Sequence, residues 1–308
     1  MKLSDVLTPS FRALGRQLGL KVELFEGRLV AIAPLWRRAF STESLFCRAL
    51  VACGYLTERQ MKRAAWRYRL GITRQGGVIF WQIDQEDVIC DGKVMYYRPD
   101  CHRDKERHPT WVSTLLCRRR QWADADRLST RHCFFGLHLL GHTEIDINVT
   151  QKARNRWSSE SSGESSLSDI AESRQRKTTV KPQKYLGHTD DTDSTDYKKT
   201  VCVVESEKSA VILSEWFPQY VWMATGGMGN VQPERFRGLR GQRVILFPDT
   251  DTDGTAYRRW YEAAQVVMRQ PFWEESPPIR VSPVLEQHAT PEQKEAKIDL
   301  VDFLFDPP

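Results

Sequence analysis

The 308-residue sequence lacks the marks of several protein classes. It has no apolar run near the roughly 18 residues that a membrane-spanning helix needs. Its first ten residues do not combine a charged segment with an apolar core, as a secretion signal would. It contains no G-x-x-x-x-G-K-[ST] phosphate-binding loop and no serine nucleophile elbow. We therefore expect a cytoplasmic protein with no membrane partner, and any helicase activity would have to come from another protein.

Cysteine is present, but not in a pattern that builds a scaffold. The seven residues are Cys47, Cys53, Cys90, Cys101, Cys117, Cys133 and Cys202. An odd number spread over a long chain is unlike a disulfide framework, which favours a reducing compartment. No two of them have C-x₂₋₄-C spacing and none has C-x₂-H spacing, and the adjacent pair Cys101-His102 is poorly suited to one ion. We expect no zinc.

The composition that is present predicts folded domains with a modest positive charge. Hydrophobic residues make up 40% of the chain, there are ten tryptophans, and the formal net charge is +5. This charge is compatible with a nucleic-acid partner without requiring one. We predict three zones: a mixed α/β domain over residues 1–142, a disordered serine-rich insertion over 143–199, and an α/β domain over 200–308. The insertion prediction depends on its low content of apolar residues.

The two outer zones differ in their predicted elements. In the first, Leu45–Leu70 reads as two helices with Thr57 capping the second, and Gly76–Asp84 and Lys93–Arg98 read as strands joined by the loop Gln85–Gly92. In the last zone strands alternate with helices, which predicts a parallel sheet flanked by helices. The predicted strands there are Val201–Val204, Tyr220–Ala224, Arg243–Phe247 and the edge strand Ile279–Leu285. The predicted helices are Ser206–Phe217, Pro233–Leu239, Thr255–Gln270 and Leu300–Phe305.

Acidic residues follow two of these strands. Glu205 comes after the first, and Asp249, Asp251 and Asp253 come after the third, while Asp299 stands late in the chain. Ligands of parallel sheets gather at the carboxyl ends of the strands. Carboxylate oxygens suit Mg²⁺, which often takes only one or two of them. The alternative is that each aspartate caps a turn or helix, and Asp253 is well placed to cap the helix at Thr255.

The DTDTDG segment is also similar to the start of a calcium-binding EF-hand loop. That interpretation fails, because no helix precedes the segment. The twelfth position counted from Asp249 is Trp260, where an EF-hand needs a glutamate.

The combination of these motifs resembles the TOPRIM family, found in bacterial-type primases, topoisomerases and some nucleases. The family has a glutamate after its first strand, a glycine-rich turn after its second and D-x-D after its third. Here these are Glu205 in VVESEKSA, Gly226 and Gly227 in ATGGMGN, and Asp249 with Asp251 in LFPDTDTDG. The late segment KIDLVDFL is similar to a primase-type ending. One departure is Ser206, where the family has glycine, and it bears on activity more than on fold.

The resemblance implies roles for particular residues. Glu205 would be the general acid/base, and Asp249 and Asp251 would hold Mg²⁺ or Mn²⁺, with Asp253 and Asp299 as further candidates. Lys208 would contact a substrate phosphate, with a solvated helix lysine as the alternative. Gly226 and Gly227 would bind substrate in the glycine-rich turn.

The N-terminal zone is also similar to primase-like proteins of plasmids and transposons. This implies primase-like nucleotidyl transfer in mobile-element replication, with single-stranded DNA, nucleotides and a replicative helicase as partners. The alternatives are a nucleic-acid-binding module without catalysis and a TOPRIM nuclease. Two basic segments with aromatic residues, Lys62–Arg69 and Arg118–Trp122, are candidates for contact with nucleic acid.

Overall fold

A computed structural model of the chain describes residues 21–25, 28–32, 34–126, 128, 129, 131–141 and 199–305. The predicted insertion at 143–199 lies outside these ranges, except for its last residue. The described part is mixed α/β, as predicted, with an antiparallel sheet and a separate parallel sheet flanked by helices. A further antiparallel pair joins β1 (Lys21–Phe25) to β2 (Arg28–Ile32). None of the described helices has the length and apolar character to cross a membrane.

The N-terminal half builds the four-stranded antiparallel sheet and the helices around it. The strands are β3 (Gly71–Ile72), β4 (Val78–Ile83), β5 (Ile89–Met95) and β6 (Thr110–Trp111), in that spatial order. The helices are α1 (Leu35–Ala39), α2 (Leu45–Ala52), α3 (Glu58–Arg67), α4 (Val112–Arg118) and α5 (Trp122–Ala125). The start of β5 corrects the predicted loop Gln85–Gly92: pairing with β4 extends back to Ile89. Gly92 permits this close packing, because a Cβ there would lie 2.8 Å from Ile79 and Val112.

The predicted helix pair Leu45–Leu70 is confirmed as α2 and α3. The Thr57 hydroxyl accepts a hydrogen bond from the Gln60 amide, and the Gln60 side chain accepts one from the Thr57 amide. This reciprocal capping satisfies two N–H groups that the first turn of a helix otherwise leaves without partners. The start of α3 is therefore encoded locally in the sequence.

The C-terminal half builds the parallel sheet, in the spatial order β10-β9-β7-β8. Its strands are β7 (Val201–Val204), β8 (Val221–Ala224), β9 (Val244–Phe247) and β10 (Arg280–Val281). Its α-helices are α6 (Glu207–Trp216), α7 (Thr255–Met268), α8 (Val284–His288), α9 (Pro291–Ala296) and α10 (Leu300–Phe305). Pro233–Leu239 is a 3₁₀ helix. The predicted edge strand Ile279–Leu285 is wrong at its end, because Val284 and Leu285 begin α8 and are buried there.

The two halves share one hydrophobic core. A single cluster of buried side chains includes Phe46 and Tyr68 from the first half and Ile212 and Trp222 from the second. The buried Tyr68 hydroxyl donates a hydrogen bond of 2.8 Å to the Trp222 carbonyl. Burial of apolar surface across this boundary stabilises both halves together. The predicted boundary at residue 142 remains a prediction.

The basic segment Lys62–Arg69 has a structural use that the sequence analysis did not foresee. Arg63 and Arg67 both pair with Glu215 of α6, whose side chain is only 1% exposed. Arg67 also donates to the Ser214 hydroxyl. These guanidinium groups join the two halves, and contact of this segment with nucleic acid remains a prediction. In the second basic segment Arg118, Arg119 and Arg120 are exposed.

Candidate active site

Three loops meet at one edge of the parallel sheet. Val204, the last residue of β7, lies in register with Ala224 of β8 and with Phe247 of β9. The residues that follow these strands therefore emerge side by side: Glu205, the glycine turn that begins at Thr225, and Asp249. The Gly226 amide donates to the Glu205 carbonyl at 2.9 Å, which fixes the first loop against the second. This edge is where ligands of parallel sheets bind.

Electrostatic repulsion links the carboxylates at this edge. Asp249 keeps some exposed surface, but protein atoms surround its carboxyl group. Burial raises the pKa of Asp249 well above its usual value, and the charges of Asp299, Glu205 and Asp302 raise it further, while Lys208 lowers it. Like charges held close together disfavour ionisation in this way. The pKa shift therefore indicates that acidic residues distant in sequence lie close enough to act on Asp249, and we call Glu205, Asp249, Asp299 and Asp302 the acidic cluster.

The acidic loop before α7 contains two aspartates with different surroundings. Asp253 is exposed and accepts a hydrogen bond from the Thr255 amide at 3.2 Å, so it does cap the turn into the helix. Asp251 accepts one from the Ala256 amide at 2.9 Å through Oδ2. Its other oxygen, Oδ1, is buried and accepts no hydrogen bond. Leaving a buried carboxylate oxygen without a partner costs free energy. Asp251 Oδ1 is therefore available to bind a ligand.

Asp299 and Lys208 have structural partners of their own. Asp299 is buried and accepts hydrogen bonds from the Ser209 hydroxyl and from the Val301 and Asp302 amides, which anchors the start of α10. The Lys208 ammonium lies 3.8 Å from an Asp302 oxygen, with a side chain 14% exposed. Burial lowers the pKa of Lys208, but the charges of Asp299 and Asp302 outweigh it and raise the pKa overall. Lys208 thus neutralises the acidic cluster instead of pointing into solvent.

The glycine turn is clamped from the antiparallel sheet. Gly226 has φ +76°, a left-handed conformation that glycine adopts readily, and a Cβ there would lie 2.7 Å from Glu207 Oε1. The Lys93 ammonium of β5 donates to the Gly226 carbonyl at 2.8 Å and pairs with Glu207 at 3.1 Å. Glu207 is only 3% exposed. Position 226 therefore requires a glycine both for its φ angle and for this contact.

Further hydrogen bonds hold the same turn from its other side. The Thr225 hydroxyl donates to the Gly227 carbonyl at 3.0 Å, and Arg235 donates to the Thr225 carbonyl at 3.1 Å. Burial lowers the pKa of Arg235. Gly227 has φ +146° and its added Cβ would meet only Asn230, at 3.4 Å. The turn is thus rigid at Gly226 and more open at Gly227.

The predicted metal site is brought together only in part. Among the residues that the structure describes, no three Asp, Glu, His or Cys side chains form a group able to hold a metal ion. Two of the predicted ligands nevertheless keep features that a cation would satisfy. Asp251 has an unused buried oxygen, Asp249 faces like charges that a cation would relieve, and Mg²⁺ is commonly held by one or two carboxylates. Asp253 and Asp299 are satisfied by main-chain amides.

Ser206 does not strain the first loop. Its φ of −92° and ψ of 135° are ordinary for any residue, and its hydroxyl accepts a hydrogen bond from the Lys208 amide as the cap of α6. Sequence reasoning missed Lys93 and Glu207 as members of the site. A buried glutamate two positions after Glu205 carries no local signal, and Lys93 lies 114 residues away from its partner.

Comparisons with known proteins identify a family whose description names no function. No curated protein matches the chain. No solved structure matches it either. A family model described as a domain of unknown function, DUF6371, matches residues 44–155 and 150–250, which together cover more than half of the chain and both loops built around Glu205 and Asp249. The chain therefore belongs to the DUF6371 family.

Proposed function

We propose that the protein is a Mg²⁺-dependent TOPRIM-type enzyme that acts on nucleic-acid phosphates by primase-like nucleotidyl transfer on single-stranded DNA. The observation that carries the proposal is the arrangement of Glu205, the glycine turn and Asp249 after three strands that end level. The order of these motifs along the chain is the order in the TOPRIM family. The charge of Glu205 contributes to the raised pKa of Asp249, which supports their action at one site.

Glu205 would act as the general acid/base. Its backbone is fixed by the Gly226 amide, and its side chain lies on the partly exposed edge of the sheet. A carboxylate at this position is within the chemistry of a general acid/base, which exchanges a proton with a reacting hydroxyl. The Ser206 cap leaves this geometry without backbone strain. We therefore infer that serine at this position is compatible with activity.

Asp249 and Asp251 would hold the metal, through the carboxylate with like-charged neighbours and the one with a free buried oxygen. When bound, Mg²⁺ would supply charge stabilisation and orientation to the transferring phosphoryl group. Lys208 and the main-chain amides around Asp299 would keep the remaining acidic groups in place. The glycine turn would offer a close approach for a nucleotide, with Lys93 fixing its shape from the opposite sheet.

The test is primer synthesis on single-stranded DNA with labelled nucleotides and Mg²⁺. The intact chain is compared with Glu205→Ala and with the double variant Asp249→Ala/Asp251→Ala. We expect loss of Glu205 to slow product formation by about 10²–10⁴-fold, the usual contribution of a general acid/base. The double variant should lose metal-dependent product. Glu234→Gln, which removes an exposed carboxylate from the same half, is the matched control.

The same lanes separate the alternatives. Metal-dependent scission of the template that disappears in these variants would make the protein a TOPRIM nuclease. Binding of single-stranded DNA without product of either kind, in the intact chain and with a replicative helicase added, would contradict catalysis and favour a binding module. Equal activity in the intact chain and the double variant would reject the carboxylate site itself. Thermal melts of each variant establish that it is folded.

A further inference from the structure

Helix α7 carries one exposed and one half-buried aromatic ring beside the acidic loop. Tyr257 and Tyr261 lie one turn apart, and their rings stack at 6.3 Å between centroids with planes 22° apart. Tyr261 is 49% exposed. In the described part of the chain only three large apolar side chains are so exposed, and two of them, Tyr261 and Val266, lie on this helix. The opposite face, with Ala256, Trp260 and Ala264, is buried in the core.

An arginine joins these rings to the loop. Arg258 Nη1 donates to the Asp253 carbonyl at 2.7 Å, and Nη2 donates to the Thr255 hydroxyl at 3.0 Å. Its guanidinium group is exposed and is held where the acidic loop enters the helix. Arg259 and Glu262 are also exposed on this helix. A positive charge is therefore fixed where the acidic loop meets the helix that carries the tyrosine pair.

This combination has the chemistry of a single-strand track. Aromatic faces stack with any base and arginine attracts the backbone, so such surfaces bind single strands with little sequence preference. Tyrosine loses little conformational entropy on binding because it has few rotatable bonds. A protein partner would need a continuous apolar patch, but Arg258 and Glu262 interrupt this face.

We propose that Tyr257, Tyr261 and Arg258 bind single-stranded nucleic acid next to the carboxylate site, with bases stacked on the tyrosines and a phosphate near Arg258. The proposal rests on the proposed function for its substrate class and deepens it by naming where the strand leaves the site. Tyr261 is the more exposed ring and therefore offers the larger surface for stacking with a base. The track then runs along α7 and away from Asp251.

The test is equilibrium binding of a fluorescent oligothymidine to the full chain, measured without nucleotides so that turnover plays no part. Tyr257→Ala/Tyr261→Ala should weaken binding by about tenfold or more, since each stacked base contributes on the order of 1–3 kcal/mol. Tyr257→Phe/Tyr261→Phe keeps the rings and should bind within about twofold of the intact chain. Val266→Ala, an exposed apolar position on the same helix, should do the same.

A second probe separates base stacking from charge. An abasic oligonucleotide of equal length should bind equally well to the intact chain and to the double alanine variant, because it has no bases to stack. An oligomer carrying 5-iodouracil should crosslink to Tyr261 on irradiation. Unchanged oligothymidine affinity in the alanine variant would overturn the track. If primer synthesis persists in that variant with its affinity intact, the track fails while the proposed function stands.

Discussion

At the residue scale, the acidic cluster lowers the stability of the folded protein, because its like charges repel one another. Asp249 is surrounded by protein atoms and faces Glu205, Asp299 and Asp302, with Lys208 as the opposing charge. Packing for stability alone would replace such a carboxylate by a neutral group, since buried like charges cost free energy. Perturbed carboxylates of this kind concentrate at functional sites. The cost at Asp249 therefore favours a role in binding or catalysis.

Asp249→Asn should stabilise the metal-free protein at pH 8. The pKa of Asp249 is raised in the folded state, so the folded chain binds this proton more tightly than the unfolded chain does. The stabilising contribution of the protonated Asp249 carboxyl is then lost as the pH rises through its folded-state pKa. The asparagine variant lacks this loss and should gain about 0.5–2 kcal/mol at pH 8, the range that a single stabilising substitution commonly gives. The gain should vanish in acid. Urea unfolding in the presence of EDTA measures it.

Asp253 provides the matched control for that experiment. It is exposed, and its hydrogen bonds to Thr255 lower its pKa, so the charged form supports the fold. Asp253→Asn should therefore leave stability unchanged or lower it, and it should show no gain at pH 8. Added Mg²⁺ should raise the melting temperature of the intact chain more than that of Asp249→Asn. A loss of stability in Asp249→Asn at pH 8 would contradict the repulsion described here.

At the element scale, the parallel strands were predictable and their neighbours less so. β7 and β9 are apolar runs bounded by charged or turn-forming residues, and both were predicted within one residue. The strand predicted over Ile279–Leu285 was wrong at its end, because a short apolar stretch does not distinguish a strand from the buried start of a helix. The order of strands, the level ends and the clamp between β5 and α6 depend on contacts between distant residues. A single sequence has no local signal for them.

Lys93→Met should destabilise the fold by leaving Glu207 buried without a cation. The lysine and glutamate side chains are 15% and 3% exposed. Removing one partner of a buried pair costs about 3–5 kcal/mol, whereas replacing both with apolar groups is often close to neutral. We therefore expect Lys93→Met/Glu207→Met to recover much of the stability that Lys93→Met loses. The cycle compares the urea unfolding midpoints of the intact chain, Lys93→Met, Glu207→Met and the double variant. Additive losses of stability would argue against a coupled pair.

At the scale of the whole molecule, the chain reads as two domains but packs as one unit. The sequence suggests the division because a polar, serine-rich segment separates two zones of different pattern. The core crosses that division through Tyr68 and Trp222, and the edge bridge between Phe135 and Ala224 attaches residues before 142 directly to β8. The ion pairs of Arg63 and Arg67 with Glu215 act across the same boundary. The glycine turn of the proposed site therefore depends on the antiparallel sheet for its shape.

This shared core predicts cooperative unfolding of both sheets. Native-state hydrogen exchange should give the slowest amides of β4 and β7 the same opening free energy, within about 0.5 kcal/mol, because neither sheet can open without exposing the common cluster. Glu215→Gln weakens the pairing with Arg63 and Arg67 and should lower both values together. Lys62→Gln, which removes only an exposed pair with Glu58, should leave both unchanged. Two separate opening free energies, or a change confined to β7 in the Glu215 variant, would mean that the halves are independent domains and that the antiparallel sheet does not support the carboxylate site.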